Sequence, residues 1–260
     1  CFAVRDNGFF PLWSYTRRRL ERLYPMYFVG WVMGIVAIGV VKSNGLTNMP
    51  WEAIGLAGLL NAFYLPYFNE FVVKVYALPI NGAIFPMNNP AWSLFYGMLA
   101  NLIFAATLRH SRVTPAAWVA ATGVGLVLGG YAFGTTPGWG TANFAGGIPR
   151  VLYAFFAGTL VFQLRERLAA LPRLAWPTVI AFVAAMFAVP RFGGYHYYWL
   201  ACALVAIPLL VAFGSRVTIE PGSAWKRACE YSGKISYPIF CVHYPLMMIF
   251  SVTLPLGANY

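Results

Sequence analysis

The sequence predicts an all-α fold, a polytopic transmembrane helical bundle of about eight or nine spans or re-entrant segments. Three observations predict it. Hydrophobic side chains make up 60% of the 260 residues, aromatic ones 18% and charged ones only 10%, where soluble domains carry about 25% charged residues. The mean hydropathy is +0.65. The charges are also segregated, leaving apolar runs close to the roughly 20 residues that a helix needs to cross a hydrocarbon core. So much apolar surface has no room inside one domain of this length, and its solvent is therefore lipid. Disorder, coiled coil, collagen and a disulfide scaffold are excluded by the same composition.

Residues 1–22 read as a cytoplasmic basic segment, with Arg5, Arg17, Arg18, Arg19 and Arg22 set against Asp6 and Glu21. Residues 23–260 read as one transmembrane domain. Its first span, 23–41, is uncharged throughout; Pro25 falls in the expected first turn, where a missing N–H costs little. Tyr24, Tyr27 and Trp31 are spaced like an interfacial aromatic belt. Segment 53–66 is short, and 71–85 is apolar but interrupted by Lys74 and Pro79. Spans at 91–108, 116–133, 148–164, 174–189, 197–213 and 235–254 complete the set. The linker Gly134-Thr-Thr-Pro-Gly-Trp-Gly140 is ordinary turn chemistry.

Lys and Arg number 18 against seven acids, a net charge of +11. The aromatic residues lie inside apolar runs rather than between basic ones, which argues for membrane headgroups or an anionic substrate and against nucleic acid. The positive-inside rule puts the N-terminal arginines on the cytoplasmic side. Arg109 with Arg112, then Arg165, Arg167 and Arg173, then Arg216, Lys226, Arg227 and Lys234 belong there too. That holds only if an even number of crossings separates Arg22 from Arg109, so either 71–85 also crosses or a short segment merely dips into the membrane. A charged ligand holding arginines on the far side is the third option. Cys1, Cys202, Cys229 and Cys241 form no C-x-x-C pair, and the three histidines and seven acids have no ligand spacing, so no metal or prosthetic group is expected. The chain starts at Cys1 rather than Met, as expected of a longer protein whose start is missing.

Four local constellations carry possible chemistry. In Arg18-Arg19-Leu20-Glu21-Arg22-Leu23-Tyr24-Pro25-Met26-Tyr27, Arg19 and Arg22 share a helix face at the head of a span, where guanidinium forks suit either phosphates or lipid headgroups. Asn88-Asn89-Pro90-Ala91-Trp92-Ser93-Leu94 reads as a helix start, with an Asn cap, an interfacial Trp92 and a Ser93 bonded back to the preceding turn. In Tyr231–Leu246, Pro238 and Pro245 predict a kinked span whose freed carbonyls need partners. His243 lies deep in that span, either as a functional group or as an interhelical hydrogen bonder. Arg150, at the head of the 148–164 span, reads as a snorkelling cation, and Gly158 as a point of close helix contact.

Taken together and in this order, the segments resemble the acyltransferase-3 family of integral membrane acyltransferases. The matching motifs are Arg-Arg-x-x-Arg-Leu-Tyr-Pro-x-Tyr at 18–27, Asn-x-Pro-Ala-Trp-Ser-Leu at 88–94, Arg-Val-Leu-x-x-Phe-x-x-Gly at 150–158 and Gly-Lys-Ile-Ser-Tyr-Pro-x-x-x-x-His-x-Pro-Leu at 233–246. The resemblance implies transfer of an acyl group, commonly acetyl, from acyl-CoA as co-substrate to a hydroxyl of a carbohydrate or lipid-linked acceptor, in a bacterial inner membrane. It implies that Arg19 and Arg22, with Arg18, engage the CoA phosphates on the cytoplasmic side. Trp92, Ser93, Arg150, Ser236, Tyr237 and His243 are then expected around the substrate cavity. The family's catalytic histidine belongs to a span upstream of Cys1, so no catalytic base is expected within these residues, and the family's glutamate is replaced by Gly97. The rival readings are a transporter or flippase for a lipid-linked sugar or anion, which predicts paired half-helices and twofold internal symmetry, and a non-catalytic scaffold.

Overall fold

The computed structural model describes residues 12–76, 78–110, 114–134, 137–170, 172–190 and 192–254. Arg5, Asp6 and Arg112 lie outside them, as does the Arg109 side chain. Helix α1 runs unbroken from Leu12 to Ser43, through the change of composition at residue 22. Pro25 is therefore inside the helix rather than in its first turn. After a short loop come α2 (Trp51–Ala62) and an antiparallel hairpin of β1 (Val72–Val75) and β2 (Leu78–Asn81). Then follow α3 (Trp92–His110), α4 (Pro115–Phe133), α5 (Phe144–Gln163), the single turn α6 (Arg165–Leu168) and α7 (Trp176–Ala188). Helix α8 (Tyr195–Gly214) contains a π-helical turn at Cys202–Ala206, and α9 (Ala224–Thr253) closes the chain. Among the described residues five helices, α1, α4, α5, α8 and α9, are long and apolar enough to cross a membrane. Helix α3 matches their length but has Asn101 in its middle and Arg109 near its end.

The two doubtful segments are now distinct. Helix α2 has 12 residues, about 18 Å at 1.5 Å per residue, against a hydrocarbon core of about 30 Å. Segment 71–85 does not cross at all. Its Val72-Val73-Lys74-Val75 run favours extended backbone, Pro79 cannot continue a helix, and Val73 pairs with Ile80 in the hairpin. The Lys74 N–H donates to the Leu46 carbonyl at 2.9 Å and Thr47 bridges to Val73. The excursion from Thr47 through α2 thus returns beside its own starting point and adds no crossing.

Two buried clusters hold the elements. Ile38, Val41, Met49, Ala57, Val73, Met87 and Met248 join α1, α2, the hairpin and α9. Ala100, Phe104, Leu152 and Phe156, with Leu126, Tyr153, Ala157 and Leu200, join α3, α4, α5 and α8. The glycine-rich face of α4 makes its contact with α5 close: a Cβ at Gly129 would meet the Gly146 backbone, and one at Gly125 would press on Pro149. In lipid such small-residue contacts are the main source of helix association, since apolar surface gains nothing by leaving lipid tails.

Candidate functional site

Prolines inside helices leave the carbonyl four residues earlier without its donor. In lipid that carbonyl has no water to turn to. Pro245 frees the Cys241 carbonyl, and the Asn88 side-chain amide donates to it at 2.8 Å. Asn88 therefore reaches across to α9 instead of capping its own turn, which corrects the expected cap. Pro208 frees the Leu204 carbonyl in the same way. There the Tyr153 hydroxyl donates at 2.5 Å, and the π turn of α8 lies at this point.

The Asn88 bond ties the 88–94 motif to the 233–246 motif. A second contact ties the latter to the 18–27 motif: the Tyr237 hydroxyl donates to the Leu23 carbonyl at 2.6 Å, one residue beyond Arg22. A third joins 88–94 to 150–158, because the Arg150 guanidinium lies 4.9 Å from the Trp92 ring centroid. Four motifs scattered over more than 200 residues are thus linked by three contacts. The approach of α1 to this seam is tight: a Cβ on Gly30 would collide with the Cys241 carbonyl and stand 3.1 Å from the Asn88 amide nitrogen.

Around the seam is an aromatic and polar layer that the sequence reading did not assemble. Tyr27 stacks on Tyr64 at 4.0 Å between centroids, and its hydroxyl donates to the Asn61 carbonyl. The Tyr24 hydroxyl donates to the Ala62 carbonyl at 3.0 Å and the Trp31 indole to the Gly58 carbonyl at 2.9 Å. The aromatic residues expected as an interfacial belt are in fact the bolts that fasten α2 to α1. Asn61 Oδ1, Tyr64 Oη, Asn88 Oδ1 and Tyr244 Oη are buried without a hydrogen bond. Such atoms are uncommon because each costs about 1–3 kcal/mol. They give the seam an unsatisfied hydrogen-bonding capacity.

Arg19 and Arg22 are exposed on α1. The neighbouring Glu21 is committed to Arg17, one turn back, at 2.7 Å, and Arg22 makes no ion pair among the described residues. Arg18 turns back along its own helix, its Nε donating to the Ser14 carbonyl at 3.2 Å. On another face of α1 an open recess of about 610 Å³ is lined by Leu20, Glu21, Tyr24, Pro25, Phe63 and Tyr64, and neither Arg19 nor Arg22 belongs to its lining. Ser93 bonds the Pro90 carbonyl at 3.0 Å, closing its own turn as expected. Ser236 likewise bonds the Gly233 carbonyl at 2.9 Å. His243 Nδ1 lies 3.1 Å and 3.0 Å from the Ile239 and Phe240 carbonyls, so among the described residues this nitrogen bonds its own helix. Among the described residues no group of three His, Cys, Asp or Glu is placed to hold a metal.

Long apolar helices around a buried polar seam define a helical integral membrane protein. The acyltransferase domain of the acyltransferase-3 family matches residues 1–259, and the chain belongs to that family; it is a multi-pass membrane acyltransferase. No curated protein and no solved structure matches it. At the position of the family's glutamate, a Cβ on Gly97 would meet nothing within 4 Å, and the Gly97 carbonyl accepts from the Asn101 amide at 2.6 Å.

Proposed function

We propose that this acyltransferase moves an acyl group, acetyl in the first instance, from acyl-CoA to a hydroxyl of a carbohydrate or lipid-linked sugar at a bacterial inner membrane. The observation that carries the reading is the position of Arg19 and Arg22. Both residues are exposed on α1, and Arg22 lies one residue from the Leu23–Tyr237 contact. Coenzyme A carries several phosphates, and planar guanidinium groups bind phosphate through paired, charge-assisted hydrogen bonds. The thioester end then points along the α1–α9 seam. There the unpartnered oxygens of Asn61 and Asn88, which are acceptors only, suit the hydroxyl groups of a sugar. Tyr237 positions α9 against α1, Trp92 and Ser93 shape the adjoining wall, and Ser236 and His243 lie along the same helix as Tyr237. The general base is a residue outside those described. A base within reach of the acceptor hydroxyl contributes typically about 10²–10⁴-fold.

The test is transfer of labelled acetyl from acetyl-CoA by the full-length protein in its membrane. Arg19→Ala with Arg22→Ala is expected to abolish transfer while leaving insertion and membrane abundance unchanged. Wild-type transfer by that double variant would refute the assignment.

A further inference from the structure

Away from the α1–α9 seam, a cavity of about 260 Å³ lies between α5, α7 and α8. Arg150 is the one charged residue in its lining. The expected snorkelling does not describe this side chain. Its guanidinium is boxed between the Trp92 and Trp199 rings, 4.9 and 5.5 Å from their centroids, and one nitrogen donates to the Pro137 carbonyl at 3.0 Å. Neither ion pair among the described residues involves it. A half-buried cation in an apolar bundle, with no carboxylate and with donors to spare, is costly unless an anion completes it. The two indole rings attract the charge without neutralising it.

The rest of the lining is mainly apolar and aromatic, with the Tyr153 and Tyr198 hydroxyl groups turned to the Leu204 and Met186 carbonyls. It extends along α5 from Arg150 to Val161, about 16 Å at 1.5 Å per residue. Gly158 belongs to that wall and, contrary to the expected close helix contact, a Cβ there would meet nothing within 4 Å. The glycine keeps the slot open. At about 260 Å³ the slot is below the range that holds a nucleotide-sized ligand, but its length and lining suit a hydrocarbon chain.

The geometry points to a second binding site, separate from the arginine pair of α1, for an amphiphile with an anionic head on Arg150 and a single apolar chain along α5 and α8. A bilayer phospholipid and a phosphate carried on another hydrocarbon chain share this chemistry. The site stands whether or not Arg19 and Arg22 bind coenzyme A.

The test uses the full-length protein in phosphatidylcholine nanodiscs with labelled dodecyl phosphate. Saturable binding is expected, weakened about tenfold or more by Arg150→Gln, the loss of one charge-assisted hydrogen bond. Gly158→Leu fills the slot and is expected to weaken binding similarly while leaving Arg150 and the unfolding temperature unchanged. Inorganic phosphate and dodecanol, each supplying half of the ligand, should compete poorly. Competition by added phosphatidylglycerol would mark the bilayer as the source; failure of that competition would mark a single-chain phosphate, and both results support the site. Binding that survives both substitutions, or equal competition by phosphate alone or by dodecanol alone, would overturn it. If Arg150→Gln fails to fold, Gly158→Leu decides the matter.

Discussion

The carbonyl of Cys241 shows how one residue's backbone geometry selects a distant partner. Pro245 removes its helical donor, and in lipid the freed carbonyl needs another partner, which the Asn88 side chain supplies. Asn88→Ala is therefore expected to lower the unfolding temperature of the detergent-solubilised protein by a few degrees, a cost of about 1–2 kcal/mol. An unchanged melting curve would show that the bond is incidental. Gly97 makes the opposite case. With nothing within 4 Å of an added Cβ, Gly97→Glu is expected to insert and fold like the wild type. If the family's glutamate contributes to turnover, the variant transfers acetyl faster; failure to accumulate in the membrane would contradict the open space. At this scale the need for partners was legible, because two prolines in one apolar run announce freed carbonyls. The identity of the partner was not, since nothing local to Cys241 distinguishes Asn88 from Asn61 or Asn101.

At the scale of elements, the uncharged runs predicted α3, α4, α5, α7 and α8 closely, because in lipid a helix is the only way to satisfy every backbone group within the segment. Helix α9 starts at Ala224, well before the expected 235, because its first turns are polar and basic. The hairpin escaped that logic. Residues 71–85 are apolar enough to pass for a span, but their β-branched run and Pro79 satisfy the backbone between strands, covered by α1 and α9 through Val73 and Val75. The spacing of Tyr24 and Tyr27 predicts contact with headgroups, whereas their hydroxyl groups cap the carbonyl end of α2. Both misreadings come from tertiary cover that no window of sequence contains. The junction of α1 and α9 also depends on space. Gly30→Leu drives a side chain into the Cys241 carbonyl and the Asn88 amide and is expected to cost at least the 1–3 kcal/mol typical of overpacking. Both the unfolding temperature and acyl transfer should fall, and wild-type stability in this variant would mean that the helices are not in contact there.

For the whole molecule, the return of residues 47–73 to the end of α1 leaves α1 and α3 as the long helices between Arg22 and Arg109, and counting α3 with the five apolar spans makes the number of crossings there even. That parity places Arg17 to Arg22, Arg109, Arg165, Arg167, Arg173, Arg216, Lys226, Arg227 and Lys234 on one side, with Lys42, Lys74 and Arg150 towards the other. Two contacts agree with it: Arg216 donates to the Leu168 and Ala169 carbonyls at 2.6 and 2.8 Å, and Thr141 N–H donates to the Gly82 carbonyl at 2.8 Å. The first joins the end of α6, just past α5, to the end of α8, and the second joins the hairpin to the α4–α5 loop. Single cysteines introduced at Thr114, Ala170 and Pro221 in a cysteine-free protein should react with an impermeant thiol reagent from the cytoplasmic side only, and those at Asn44, Ala142 and Gly193 from the other. A mixed pattern would refute the count of crossings.

The arrangement as a whole presents a guanidinium pair at the head of α1, next to a seam on which four separated motifs converge. Isothermal titration of the purified full-length protein with coenzyme A measures the role of that pair directly. The account predicts saturable binding, weakened roughly a hundredfold or more in Arg19→Ala with Arg22→Ala as two charge-assisted contacts are lost. Equal affinity in wild type and variant, or no heat of binding in either, would contradict it.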